Sequence, residues 1–357
     1  MNGNKSIHVQ ILIALSLVAI FAASCASGIP DSGQSSSENQ SSMTLTLAAY
    51  TTPREAYQEL IPIFIEQWNM ETGQDVTFEE SYLGSGAQSR AIVDGFEADV
   101  AALSLQADVD RIVNAGLITN DWQSAPNNGM VSTSIVVFAV RKGNPSQIHD
   151  WADLAKPGVR ILTPNPKTSG GAMWNILALY GAAYRGFVEG VPANDDTAAQ
   201  AFLISVLKNV MVMDKGARES ITNFENGVGD VAITYENEVL VGQQSGQDYE
   251  MVVPRSTILI ENPVAVIDAY AGQHGNLESA QKFVEFLFSP EAQEIFSNHG
   301  LRSVDETVAQ AHEAAYPPVE DLFTIEQFDS WAEVTPKFFG ENGIYTIAIS
   351  QVQVPTQ

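Results

Sequence analysis

Four short stretches of this chain carry residues suited to holding an anion. They are Tyr50-Thr51-Thr52-Pro53-Arg54, Leu83-Gly84-Ser85-Gly86-Ala87, Thr168-Ser169-Gly170-Gly171-Ala172 and Lys215-Gly216-Ala217-Arg218. In each, a β-rich run gives way to small residues and then to an amphipathic helical pattern. Pro53 suits a first helical position, Ser85 and Ser169 suit N-caps, and Met173, Ile176, Leu177 and Tyr180 recur at helical spacing after the Ser169 turn. Helix starts expose unpaired N–H groups and a partial positive charge, and Gly or Ala lets a ligand approach the backbone. Four of them converging would form an anion cage, although such caps also begin helices that touch no ligand.

The elements that must position these turns follow from periodicity. Leu45 to Ala49 reads as a strand, Leu60, Ile61, Phe64, Ile65 and Trp68 as a helix face, and Val76 to Phe78 as a strand again. The alternation returns at Val100 to Leu103, Ile135 to Val140, Ile161 to Thr163, Val210 to Met213 and Val231 to Thr234. This βαβ rhythm predicts an α/β fold with mostly parallel sheets flanked by helices. Two sheets in two lobes are the economical arrangement, with chain crossings near Ser132 to Ile135 and Thr257 to Pro263. The predicted organisation is a signal peptide over 1–24, a flexible linker over 25–43, lobe I over 44–133 and 258–357, and lobe II over 134–257.

The leader holds one cation, Lys5, and an apolar run from Ile11 to Ala23 broken by Ser16, too short to span a bilayer. It ends at Ser24-Cys25, and Cys25 is the only cysteine in the sequence. Small residues before a lone Cys resemble a bacterial lipoprotein signal, which implies lipid on Cys25 and a membrane-anchored protein in the periplasm or at the cell surface. The Ser-, Gln- and Gly-rich stretch from Ala26 to Ser42 then reads as a spacer.

With 17 Lys+Arg against 43 Asp+Glu, the formal charge is -26, which repels nucleic-acid phosphates. Any anion must be held locally, against the global field. Of the five His residues, His8 leaves with the leader, and His149, His274, His299 and His312 are scattered without metal spacing. No G-x-S-x-G elbow or phosphate loop occurs, so no catalytic residue, metal or cofactor is assigned. An exported hydrolase using Ser85 or Ser169 and an adhesive surface lipoprotein are the competing classes. Trp122, Trp151, Trp174 and Trp331 are expected in the core. Glu236 and Glu238 are expected near the cleft, solvated or salt-bridged.

The four turns, in order and with their flanks, resemble the bacterial sulfate- and thiosulfate-binding proteins that serve ABC importers. The similar text includes Arg141 to Trp151, Lys156 to Val159, Thr163 to Ala172, Gly227 to Val231, Tyr235 to Glu238 and Leu287 to Gln293. The resemblance implies a type II periplasmic-binding-protein fold with the ligand in the interlobe cleft, a monomer that closes on sulfate and is read by a membrane permease. It places ligand contacts at Thr51, Ser85, Ser169, Gly170, Gly171, Ala217 and Tyr235, with the N–H groups of Ser85, Gly170, Gly171 and Ala217 and the Ser169 hydroxyl donating. Arg54 and Arg218 are expected behind them, paired with carboxylates such as Asp108. The chain departs from the enteric sulfate binders in having Thr51 for Asp and Tyr235 for Trp, and it has Met173 where Arg is frequent in the family. Thiosulfate, molybdate, selenate and chromate therefore stay open beside sulfate. A site of donors suits sulfate, which carries no proton, and disfavours phosphate, which retains one. Affinity is expected to stay flat between about pH 5 and 8, because neither the ion nor these contacts titrate there.

Overall fold

The computed structural model describes residues 43–352. The signal peptide, Cys25 and all of the expected linker except Met43 lie outside the described residues. The chain begins as expected, with β1 (Met43–Tyr50), α1 (Arg54–Thr72), β2 (Val76–Leu83), α2 (Ser85–Val93), β3 (Val100–Ala102) and α3 (Gln106–Asn114). The long strand β4 (Met130–Val140) leads into α4 (Trp151–Leu154), β5 (Ile161–Pro164), α5 (Gly170–Tyr184), α6 (Asp196–Leu207), β6 (Val210–Asp214), α7 (Ala217–Glu225), β7 (Val231–Tyr235) and α8 (Glu236–Gln244). β8 (Glu250–Val252) and the second long strand, β9 (Ser256–Val266), follow. The chain then continues through α9 (Asp268–His274), α10 (Leu277–Leu287), α11 (Pro290–Asn298), α12 (Glu306–His312), β10 (Asp321–Phe323), α13 (Trp331–Val334) and α14 (Ile344–Ser350).

Strand order is β2-β1-β3-β9-β4-β7-β5-β6. The first three strands are parallel to one another, as are β7, β5 and β6. β9 and β4 join the groups in antiparallel fashion. Each long strand divides its length: Val264–Val266 of β9 pairs with β3, Val136–Val140 of β4 pairs with β7, Met130–Ile135 of β4 pairs with Leu259–Pro263 of β9, and Ser256–Ile258 of β9 pairs with β10. The stretches expected to carry the chain crossings are those that pair, so the two expected sheets form one continuous ladder.

Strand alternation explains how both faces of the first group are covered. Leu45, Leu47 and Ala49 pack with Tyr57, Leu60, Phe64, Phe283 and Phe296 of α1, α10 and α11, while Ala48 packs with Ile92, Val109 and Ile112 of α2 and α3. In the second group, α5 is buried nearly throughout and packs on α6 beneath Val136 and Phe138 of β4. Trp122, Trp151, Trp174 and Trp331 are core residues, as expected.

The C-terminal segment departs from the expected grouping of 258–357. Phe323, Trp331, Phe338 and Tyr345 share the core of α5 and α6, and the Trp174 and Trp331 rings meet edge-on at 4.7 Å. Gly181 permits that crossing, since a Cβ there would stand 2.5 Å from Phe323 Cζ. Aromatic anchors spaced along an otherwise polar tail draw it onto the apolar helix pair, where each buried ring is worth about 1.5–3 kcal/mol.

Candidate functional site

The four turns lie at carboxyl ends of strands β1, β2, β5 and β6, where ligands bind in open α/β sheets. Three are pinned together around Thr168. A Cβ on Gly84 would lie 2.6 Å from the Thr168 carbonyl oxygen and 2.8 Å from that of Lys215, so only glycine allows this approach. Ala87 donates its N–H to the Thr168 carbonyl at 3.0 Å, and the Thr168 hydroxyl donates to the Lys215 carbonyl at 2.8 Å. The fourth turn meets the same place, with Thr51 Oγ1 3.5 Å from the position of a Cβ on Gly216.

The starts of α2, α5 and α7 are arranged differently in detail. Ser169 is the N-cap of α5 and accepts from the Ala172 N–H at 3.3 Å, which leaves the Ser169 hydroxyl proton free to donate. Ser85 is not a cap. Gly84 holds that position, and the Ser85 hydroxyl donates to Asp108 Oδ2 at 2.6 Å while accepting the Ser104 N–H at 3.0 Å. Its backbone N–H is the group left for a ligand. Neither α2 nor α7 has a side-chain cap, so the Ser85 and Ala217 amides keep unpaired donors at helix starts, which carry a partial charge of about +0.5.

Gly170 and Gly171 are confined by side chains from elsewhere. A Cβ on Gly170 would lie 2.6 Å from Ser104 Oγ, and one on Gly171 would lie 2.6 Å from Tyr235 Cε2. Ser104 Oγ and the Tyr235 hydroxyl are 2.7 Å apart. Two hydroxyls bonded to each other use one proton between them and retain one to donate. Burial pushes the Tyr235 phenol above its usual range, so the proton stays at physiological pH.

Arg218, next to Ala217, is neutralised by carboxylates. Arg218 donates to Glu55 at 2.6 and 2.9 Å and to the Thr52 carbonyl at 3.2 Å, tying α7 to the start of α1. Its Nε stands 2.8 Å from Glu238 Oε2, a charge contact whose angle falls short of a hydrogen bond. Burial opposes the guanidinium charge, but Glu238 and Glu55 outweigh it and raise the Arg218 pKa. Burial pushes the Glu238 carboxyl up to about 7 against the pull of Arg218. Glu236 is buried as well and is bonded by Arg302 at 2.7 and 2.9 Å.

The sequence predicts Asp108 as a partner of Arg54 or Arg218, but Asp108 pairs with neither. Arg111 lies one helical turn away and takes it at 2.7 Å, placing Asp108 directly behind Ser85. Arg54 is exposed and lies over the Tyr82 ring at 4.6 Å, because its first-turn position points away from the other turns. Met173 is buried beside the site without adding a charge.

Sequence reasoning missed Ser104. The run Leu103-Ser104-Leu105 between β3 and α3 is a fifth strand-to-helix turn with a small polar residue, and the rule that found the others would have found it. Among the described residues no group of three His, Cys, Asp or Glu could hold a metal, and no helix is long and apolar enough to cross a membrane.

Residues 45–302 match the model of a bacterial extracellular solute-binding protein family. The chain belongs to that family. A sulfate-binding protein of Synechocystis is 42% identical over 346 residues, covering 96% of each chain. A thiosulfate-binding protein of Escherichia coli is 38% identical over 303 residues, covering 83% of this chain and 88% of the relative. The solved sulfate-binding protein SubI of Mycobacterium tuberculosis superposes with a TM-score of 0.76 at 34% identity, covering 83% of this chain and 99% of SubI.

Proposed function

We propose that the chain is an extracytoplasmic receptor that captures sulfate and delivers it to a membrane-embedded ABC importer. In this reading the N–H groups of Ser85, Gly170, Gly171 and Ala217 and the hydroxyl of Ser169 hold the dianion, Thr51 and Tyr235 flank it, and lipid on Cys25 tethers a monomer in the periplasm or at the cell surface. The observation that carries the reading is the junction at Thr168, which draws the amide-bearing starts of three helices to one point on both sides of the crossing strands. The sulfate-binding relatives support the choice of ion.

The energetics fit a receptor that must also release its cargo. About six hydrogen bonds to a charged group, at roughly 1.5–3 kcal/mol each, give a gross term on the order of 10–20 kcal/mol. Dehydration of the dianion offsets most of it, and a micromolar complex retains about 8 kcal/mol. Arg218 and Arg111, which stand behind the turns, are already paired with carboxylates, so recognition falls to oriented donors, which phosphate, with a proton of its own, satisfies less well.

Calorimetric titration of the mature chain with sulfate, thiosulfate, phosphate and molybdate tests this directly. Stoichiometric binding of sulfate without turnover and no heat from phosphate are expected. Tighter binding of thiosulfate would transfer the assignment to the other branch of relatives. Binding by both groups of turns also requires closure about β4 and β9, so X-ray scattering should show compaction on adding sulfate, and superimposable profiles would contradict a closing cleft.

A further inference from the structure

We propose that the Tyr50 hydroxyl is a further donor to the bound anion, on a wall of the site that it shares with Tyr235 and Ser104. The proposal rests on the sulfate reading above and names a contact which that reading does not contain.

Tyr50 is the last residue of β1 and directly precedes Thr51. Its strand belongs to the first group, yet its side chain joins the apolar cluster of the second, with Leu105, Met213, Ala217 and Tyr235. The Tyr50 and Tyr235 rings are 6.2 Å apart and tilted by 39°. Tyr50 therefore reaches from the first group to Tyr235 of the second, whose ring also confines Gly171, one of the amides assigned to the anion.

Its hydroxyl stands out chemically. Tyr50 is only 5% exposed, and the hydroxyl has no hydrogen-bond partner among the described residues. A buried phenol without a partner is costly, and buried tyrosines ordinarily place the O–H on an acceptor. Tyr235 does not serve it, because no hydrogen bond joins the two hydroxyls. Burial, reinforced by Tyr235, Tyr57 and Glu238, raises the Tyr50 pKa well above its usual value, so the group is a permanent donor at physiological pH. A sulfate held by the amides of Gly171 and Ala217 supplies the acceptor the phenol lacks. Thr52 Oγ1 and Glu238 Oε1 are also buried without hydrogen bonds, so a water bridging to either is the competing use of the hydroxyl.

The test compares the full mature chain with Tyr50→Phe, which keeps the ring and removes only the donor. Titration with sodium sulfate should show Kd raised about tenfold. The melting temperature without sulfate should be unchanged or higher, and the rise produced by sulfate should shrink. The sulfate-induced change in the tyrosine absorbance of the parent protein should diminish in the variant. A Kd within about twofold of the parent would overturn the proposal and assign the hydroxyl to a bridging water. A fall of several degrees in the ligand-free melting temperature would overturn it too, by showing that the hydroxyl serves the fold. If the parent protein gives no heat with sulfate, the functional reading itself fails, an outcome distinct from a parent that binds and a variant that binds equally.

Discussion

Ser85 and Ser169 occupy similar places in sequence, each between a strand and a helix and each followed by glycine, but they use their hydroxyls in opposite ways. Ser169 stands just outside α5 in extended conformation, and its oxygen caps that helix while its proton remains free. Ser85 stands one position later relative to α2, inside the first turn, and both capacities of its hydroxyl are spent on Asp108 and the Ser104 N–H. A shift of one residue in where the helix begins turns a hydroxyl with a free proton into a brace between α2 and α3. In an amide-built site, then, the same residue type contributes through its side chain in one turn and through its backbone in another.

The largest effect in this comparison is expected from the backbone itself. Gly170→Val would place a branched side chain against Ser104 Oγ, Leu105 Cδ2 at 2.9 Å and Ser104 Cβ at 3.0 Å. The α5 start must move away from the wall it shares with Tyr235, and sulfate affinity should fall by about a hundredfold or more by calorimetry. Ser169→Ala ranks next, with an expected loss of about tenfold, since it removes one charge-assisted bond while leaving the amides in place. Equal binding by parent and Ser169→Ala would show that the free hydroxyl proton points elsewhere.

Much of this arrangement was legible in the sequence because it is local. The βαβ rhythm, the strand-end turns and the glycines at 84, 170 and 171 follow from short-range pattern, and the structure places them where that pattern requires. What was not legible is which distant group each turn meets. Arg111 captures Asp108 through a spacing of three residues that was overlooked, whereas Arg218 finds Glu55 and Glu238 only because the fold brings three helices together. The C-terminal segment was assigned by chain order, but its position is decided by aromatic rings seeking an apolar surface already formed by α5 and α6. Charge pairing and tail docking are tertiary outcomes, and one-dimensional spacing does not encode them.

Ser85→Ala should reverse the pattern of Ser169→Ala. It leaves the Asp108 carboxylate with one bond fewer and the buried Ser104 N–H without its acceptor, at a cost of about 1–3 kcal/mol in denaturant unfolding. Affinity should change by less than about threefold, because the Ser85 amide stays in place. A loss of binding as large as that of Ser169→Ala, without a loss of stability, would mean that the two serines are equivalent after all.

The smallest effect is expected from Glu238, a buried group that titrates near neutrality, and it would replace the flat pH profile expected from the sequence with a shallow slope. Glu238 is 2% exposed and faces Arg218; burial raises its pKa to about 7 against the pull of Arg218, with Glu55 and Glu225 adding smaller contributions. Below that value the carboxyl is neutral and repulsion of the incoming dianion is reduced, so sulfate affinity should rise by about threefold as pH falls from 8 to 6, screened in part by Arg218. Stability has the same sign. The raised folded pKa contributes stability that is present below the unfolded value and is lost as pH rises through about 7. Glu238→Gln should flatten both profiles while Arg218 keeps Glu55. If the slope in affinity persists in that variant, the titrating group lies elsewhere; if the parent shows no slope, Arg218 holds Glu238 ionised throughout and the two glutamates of the Arg218 cluster act as one fixed charge.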